Sequence, residues 1–214
     1  GAGNAQSALD TTAAGDIWNN GFKAGTTDVA YIAMAGSDAS DNSVNYTLPT
    51  LVDGLSISAS YSSGGLAVDS TTAFGATYTG VEGLSVSYGV GEAGSTTATA
   101  SGDVTTMKAS YAIGSFTAAV SNTESDKDST GTDEEMDSWN LSYTVSENLS
   151  ISYGEETHET SGQTVDEEFD AISVSYTTGG MTITAANYEA SGIANATGEA
   201  GEANRWKLAA SFAF

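Results

Sequence analysis

The sequence predicts an all-β chain, a transmembrane antiparallel β-barrel, and three observations predict it. Apolar and polar residues alternate with period two from about Asn42 onward, the connections between these stretches are short and long in turn, and tyrosine recurs near the stretch ends. Leu84, Val86 and Tyr88 against Ser85 and Ser87 show the alternation, which sorts side chains onto the two faces of a strand.

Taken in chain order, about eleven strands are expected. They are Asn42 to Leu48, Leu55 to Ser62, Ala73 to Thr79, Leu84 to Val90, Thr105 to Ile113, Phe116 to Thr123, Met136 to Val145, Leu149 to Glu155, Phe169 to Thr177, Met181 to Glu189 and Arg205 to Phe214. The connections Pro49 to Gly54, Gly80 to Gly83, Gly114 to Ser115, Ser146 to Asn148 and Thr178 to Gly180 are short, and those between them are long. A soluble sandwich mixes hairpin and crossing connections, whereas a membrane barrel keeps tight turns on one side and long loops on the other. Acids follow the same division. The short turns hold only Asp53, Glu82 and Glu147, while Asp133, Glu134, Glu135 and Asp166, Glu167, Glu168 fall in or beside long loops.

Strands running toward the short turns carry Tyr46, Tyr78, Tyr111, Tyr143 and Tyr176 near their ends, and strands running away carry Tyr61, Tyr88, Tyr153 and Tyr188. Tyrosine rings suit the two headgroup levels of a membrane, where the ring is buried and the hydroxyl wet, so two girdles are expected. The opposite faces are small and polar, as in Ser56, Ser58, Ser60 or Ser173, Ser175, and suit a watery lumen. Alternation by itself fits a sandwich equally well; connection lengths, girdles and the last strand favour the barrel.

The 214 residues include 25 Gly, one Pro and no Cys, which excludes disulfide frameworks, Cys-based zinc sites and thiol catalysis. No run of 18 or more apolar residues occurs, which excludes a transmembrane helix but not barrel strands; a mean hydropathy of -0.16 does not decide the matter. With 28 Asp plus Glu against 5 Lys plus Arg, the net charge of -23 argues against nucleic acid as a partner.

The segment RWKLAASFAF sends Trp206, Leu208, Ala210, Phe212 and Phe214 to one face and ends the sequence on an aromatic residue. It resembles the closing strand of bacterial outer-membrane proteins, which implies an assembly signal at Phe212 and Phe214 read by the barrel-assembly machinery. DNSVNYTLPTLVDGLSISASY, from Asp41 to Tyr61, is similar to the strand, turn and strand that follow the inward-folded third loop of general Gram-negative porins, especially alphaproteobacterial ones. The resemblance extends over the whole chain and implies a 16-stranded porin-type barrel, of which about 11 strands are present here. It divides the chain into residues 1–41, an inward-folded constriction loop, and 42–214, the C-terminal strands, with N-terminal strands expected to be missing from this sequence.

By that resemblance Asp10, Asp16, Asp28 and Asp38 line the constriction and face basic residues on the wall. Lys108, Arg205 and Lys207 are the candidates, since each alternates with outward apolar neighbours and a cation facing lipid is costly. For Arg205 and Lys207 a place at the outer mouth is an equal alternative. The family further implies a homotrimer, set among outer-membrane lipid and lipopolysaccharide, that passes small hydrophilic solutes.

Other motifs carry less. GVGEAG, Gly89 to Gly94, matches a dinucleotide fingerprint formally, but a loop-like STTATASGD follows where a helix is needed. Asp126, Asp128, Thr130, Glu134 and Asp137 approximate a calcium loop, without its flanking helices or its bidentate Glu, and are the candidate weak calcium site; no other cofactor is expected. His158, the one histidine, lies in EETHET and is read as an exposed loop residue. No nucleophile, base and orienting group can be assembled around it, so no enzyme is expected. The expected function is a passive diffusion channel. The alternatives are a barrel acting as adhesin or phage receptor through its acidic loops, and a soluble secreted β-sandwich or calcium-binding adhesin.

Overall fold

The computed structural model describes residues 2–3, 23–24, 27–28, 43–63, 70–93, 102–128 and 132–213. Three two-residue strands come first: β1 (Ala2–Gly3), β2 (Lys23–Ala24) and β3 (Thr27–Asp28). Eleven longer strands follow: β4 (Ser43–Thr47), β5 (Leu55–Ser62), β6 (Thr71–Tyr78), β7 (Leu84–Ala93), β8 (Gly102–Ile113), β9 (Phe116–Lys127), β10 (Glu134–Ser146), β11 (Leu149–Thr160), β12 (Glu167–Thr178), β13 (Met181–Ser191) and β14 (Ala203–Phe212). From β4 to β14 each strand pairs antiparallel with the next in sequence, a single up-and-down sheet with β1 beside β4 at one edge and β14 at the other. Ala2 and Gly3 thus belong to a strand pair; of the expected 1–41 loop, all but β1, β2 and β3 lies outside the described residues.

Each expected strand has its counterpart, yet β8 to β12 run 12 or 13 residues, longer than the alternation predicted. The excess is mostly on the long-loop side, with one residue added at the short-turn end of β10 and of β12. About 9–11 residues cross a bilayer, and beyond that level neither face needs to be apolar. The ladder continues through Ser121–Lys127 and Glu155–Thr160 with both faces polar, so hydrogen bonding persists where the hydropathy signal stops.

The five short turns form one regular rim. The carbonyls of Gly54, Gly83, Ser115, Asn148 and Gly180 accept from the backbone N–H of Thr79, Ala112, Thr144, Thr177 and Ala213 at 2.7–2.8 Å, so each turn is bonded to the next hairpin along. At Gly83 the backbone adopts φ +77°, and a Cβ there would sit 2.2 Å from the Ala112 carbonyl oxygen. Only glycine permits both the left-handed turn and that approach.

The two faces are chemically opposite. One carries Tyr46, Phe74, Met107, Leu141, Val174, Trp206 and Leu208, all exposed, the last two at 76% and 79%. The other carries Ser58, Ser87, Thr106, Ser121, Thr123 and Ser138, all buried. Covering a large apolar side chain is worth about 1.5–3 kcal/mol. A soluble sandwich would put that face against a second sheet. The described strands of that face form one continuous sheet in sequence order, not the two facing sheets of the sandwich alternative, so the apolar face is taken as the outer one and the polar face as the inner one.

Eight tyrosines, Tyr46, Tyr61, Tyr78, Tyr88, Tyr111, Tyr143, Tyr153 and Tyr176, share the outer face, and two of them meet other rings. Phe116 stacks on Tyr143 at 4.5 Å between centroids, and Trp139 meets Tyr153 edge-on at 5.5 Å. Tyr188 departs from the expected girdle. It pairs with Ala171, between the buried inner residues Phe169 and Ser173's row, and so points inward. Its parity explains this: Met181, Ile183 and Ala185 are the outward positions of β13, and Tyr188 has the other parity.

Candidate pore wall and outer mouth

The inner wall is built from hydroxyls. Cross-strand pairs join Thr77 to Ser87 (3.0 Å), Thr106 to Thr123 (2.8 Å), Ser121 to Ser138 (2.6 Å), Ser152 to Ser173 (2.7 Å) and Thr177 to Thr182 (2.9 Å). Directly opposite positions on neighbouring strands bring such side chains together, and small hydroxyls satisfy one another while leaving a wettable surface.

Lys108 stands in this wall. Its neighbours across the ladder are Ser87 on β7 and Ser121 on β9, both buried on the inner face, so it faces inward as the alternation predicted. The same in-register row continues through Ser138 to Glu156, a carboxylate that is 1% exposed. Arg205 lies opposite Tyr188 and Lys207 opposite Ala186, which places both on the inner face of β14. Lys108 on β8 and this pair on β14 are six strands apart in the sheet order. At ~4.8 Å per strand the separation along the wall is roughly 29 Å, so they do not form one cluster.

Of the expected acidic partners, Asp10, Asp16 and Asp38 lie outside the described residues. Asp28 is described in its backbone alone, paired with Lys23. Phe212 sits on the outer face opposite Met181, and Phe214 lies outside the described residues. The calcium set is not brought together. Asp126 and Asp137 share the outer face with Glu124 and Glu135, Glu134 is on the inner face 3.6 Å from His158, Asp128 follows β9, and Thr130 lies outside the described residues. Among the described residues no group of three or more His, Asp or Glu side chains is arranged to hold a metal ion. Gly89 and Gly91 of the GVGEAG match are strand residues of β7, and Gly94 with the residues after it lies outside the described residues.

Above the apolar band the outer face becomes acidic. Three rows of carboxylates lie directly opposite across neighbouring strands: Glu92, Asp103 and Asp126; Glu124, Glu135 and Glu159; Glu155, Asp170 and Glu189. Like charges in that relation repel. Polar neighbours answer some of them: Asn122 Nδ2 donates to Glu135 at 2.8 Å and Asp137 at 3.0 Å, and Tyr153 and Trp139 donate to Glu155 at 2.7 and 3.1 Å. The remaining charge is a collar that attracts cations.

His158 is where the sequence reading was wrong. It is a buried residue of β11 on the inner face, five positions above the apolar band, which ends on this strand at Tyr153. Its Nδ1–H donates to Glu167 Oε2 at 2.9 Å, and its Nε2 lies 3.6 Å from Glu134 Oε1. Burial pulls the imidazolium pKa down, but the contacts with the Glu134 and Glu167 carboxylates outweigh it and hold the group at about 9. The same contact with His158 lowers the pKa of both glutamates. Parity could have found it: Ser150 and Ser152 face inward, and His158 shares their phase.

An unclosed meander with a lipid-facing apolar surface, a hydroxyl-lined inner face and a rim of linked short turns defines an outer-membrane barrel protein. The Gram-negative porin family model matches residues 2–214, and the chain belongs to that family, which places it in the bacterial outer membrane. Solved structures share the fold. A refined porin is 16% identical over 99% of this chain and 76% of its own, with a TM-score of 0.69. An anion-selective porin from Comamonas acidovorans is 15% identical over 73% of this chain and 52% of its own, at 0.59. The trimer form of OmpT from Vibrio cholerae is 18% identical over 97% and 71%, at 0.59. The chain therefore spans about half the length of the Comamonas porin and more of the other two. No curated protein sequence matches it significantly.

Proposed function

We propose that the complete protein forms a water-filled channel through which ions and small hydrophilic solutes diffuse passively, without catalysis. The observation that carries this reading is the wall itself: hydroxyl pairs run from Thr77 on β6 to Thr182 on β13 on one face, back to back with a continuous apolar face. Such a sheet, closed by further strands to a barrel of the 16-stranded type, encloses water and satisfies its edges in lipid. Residues 1–41 are proposed as the constriction loop, with Asp10, Asp16, Asp28 and Asp38 opposing basic wall residues, Lys108 among them. The trimer form known for one structural neighbour supports a homotrimer.

Charge sets the preference. A net charge of -23 and a rim of opposed carboxylates raise the cation concentration at the mouth, so the expected preference is for cations, the reverse of that named for the Comamonas porin. Salt with a Debye length of about 3 Å at 1 M removes most of this effect. The reversal potential across a KCl gradient, measured at low and high mean salt, is expected to show cation preference at low salt that fades at high salt. Equal permeability at low salt sinks the charge assignment, and folded insertion without permeation sinks the channel.

A further inference from the structure

We propose that residues 192–202, which connect β13 to β14, form a strap latched onto the inner wall at the outer mouth through Glu167, with His158 as the positioning residue of the latch. The strap holds an unusual shape. Gly192, Ala194, Asn195 and Gly198 all have φ between 55° and 67°, and Ala194 has no glycine-like freedom to favour it. A non-glycine residue stays left-handed only where its surroundings fix it.

Those surroundings are specific. Ile193 and Ala203 pack on Phe169 and Ala190, both buried on the inner face. The Ala194 backbone N–H donates to Glu167 Oε1 at 2.7 Å, and Asn195 Nδ2 donates to the Val165 carbonyl at 2.9 Å. A Cβ at Gly192 would lie 1.9 Å from the Asp166 carbonyl oxygen, so this close crossing of two loops needs glycine. Glu167 divides its oxygens: Oε1 takes the strap and Oε2 takes His158, whose far side faces Glu134. Glu134 on β10, His158 on β11, Glu167 on β12 and Ala194 of the strap thus form one chain along the wall at the mouth.

The charged groups around the ring are nearly all acidic. Glu134 and Glu167 face it from β10 and β12, Glu156 lies two residues below it on its own strand, and Lys127 on β9 acts on Glu134. Glu199 and Glu202 belong to the strap, with Asp166 at its foot. Loss of the imidazolium charge leaves these carboxylates to repel one another. The His158 pKa is raised, so its contribution is complete below the ordinary histidine value and is lost as pH rises through about 9. The glutamate pKa values are lowered, so theirs is present above the ordinary carboxylate range and lost as pH falls through the depressed values. The latch is closed at neutral pH and opens in alkali. Held on its own wall the strap leaves the mouth clear; released, it is free to swing across.

These 214 residues hold no cysteine, so a nitroxide on Glu199→Cys, in the full-length protein with any cysteine outside them replaced by serine, reports the strap alone. The spectrum is expected to be immobilised at pH 7, with a mobile component growing through about pH 9. His158→Asn, which keeps a donor near Glu167 but not the charge, and Glu167→Ala are each expected to give the mobile spectrum already at pH 7 and to abolish the pH response. An immobile, pH-independent label in all three proteins overturns the proposal. Label mobility does not depend on conductance, so the strap and the channel reading fail separately; short closures of an otherwise open channel above pH 9 are expected only when both hold.

Discussion

Val174→Arg is expected to destabilise the folded protein in lipid by about 2–4 kcal/mol, while Ser175→Arg, one residue away, costs little. Val174 lies in the middle of the outer band of β12, between Ile172 and Tyr176 along the strand and between Ile151 and Ala185 across it. A guanidinium there has neither water nor a counter-charge. Ser175 faces inward opposite Ser150 and Thr184, where an added cation stays hydrated and narrows the lumen instead. Urea unfolding from phospholipid vesicles measures both. Equal costs, or a larger cost at Ser175, would mean the faces are assigned the wrong way round.

The largest functional effect is expected at Lys108. Reversing one wall charge with Lys108→Glu changes the energy of a passing monovalent ion at several ångströms by on the order of 1 kcal/mol, roughly fivefold and of opposite sign for cation and anion, hence about thirtyfold in the cation-to-anion permeability ratio at low salt. No comparable shift is expected when the ratio is measured at 1 M salt, where screening acts within about 3 Å. The reversal potentials of the wild type and the variant read this directly. An unchanged low-salt ratio would place Lys108 away from the ion path, although its neighbours Ser87 and Ser121 face inward.

The barrel part of the fold was legible because lipid enforces it. From Leu149 to Tyr153, or from Leu141 to Val145, every second residue must be apolar, so period and parity appear together in the letters. Above the membrane that demand lapses. Segments such as EETHET carry polar residues on both faces, and nothing in their hydropathy distinguishes a strand from a loop, although the pairing His158 to Glu167 continues the ladder. His158 was misplaced for that reason, and the strap was invisible because its contacts join Val165, Glu167 and Ala194, which are far apart in sequence. Tyr188 is different. Its position near a strand end suggested a girdle, while its parity, also written in the sequence, already placed it inside.

The candidate site was legible to the same degree. Lys108, Arg205 and Lys207 face inward as the alternation requires, but their spread over β8 and β14 depends on strand order. The calcium reading treated Asp126 to Asp137 as one loop, whereas β9 and β10 extend into it and the pleat turns Glu134 away from Asp137.

The measurement that bears most directly on the central claim is single-channel recording of the full-length protein in planar bilayers, with a thiol introduced on either face. Ser142→Cys points inward opposite Thr117 and Ser152, and Leu141→Cys points outward opposite Ala118 and Tyr153. Stepwise openings are expected, and a bulky water-soluble thiol reagent should shrink the step in Ser142→Cys and leave Leu141→Cys unchanged. Folded, membrane-inserted protein with no conductance, or a block that appears only at Leu141→Cys, would contradict a water-filled pore lined by the hydroxyl face.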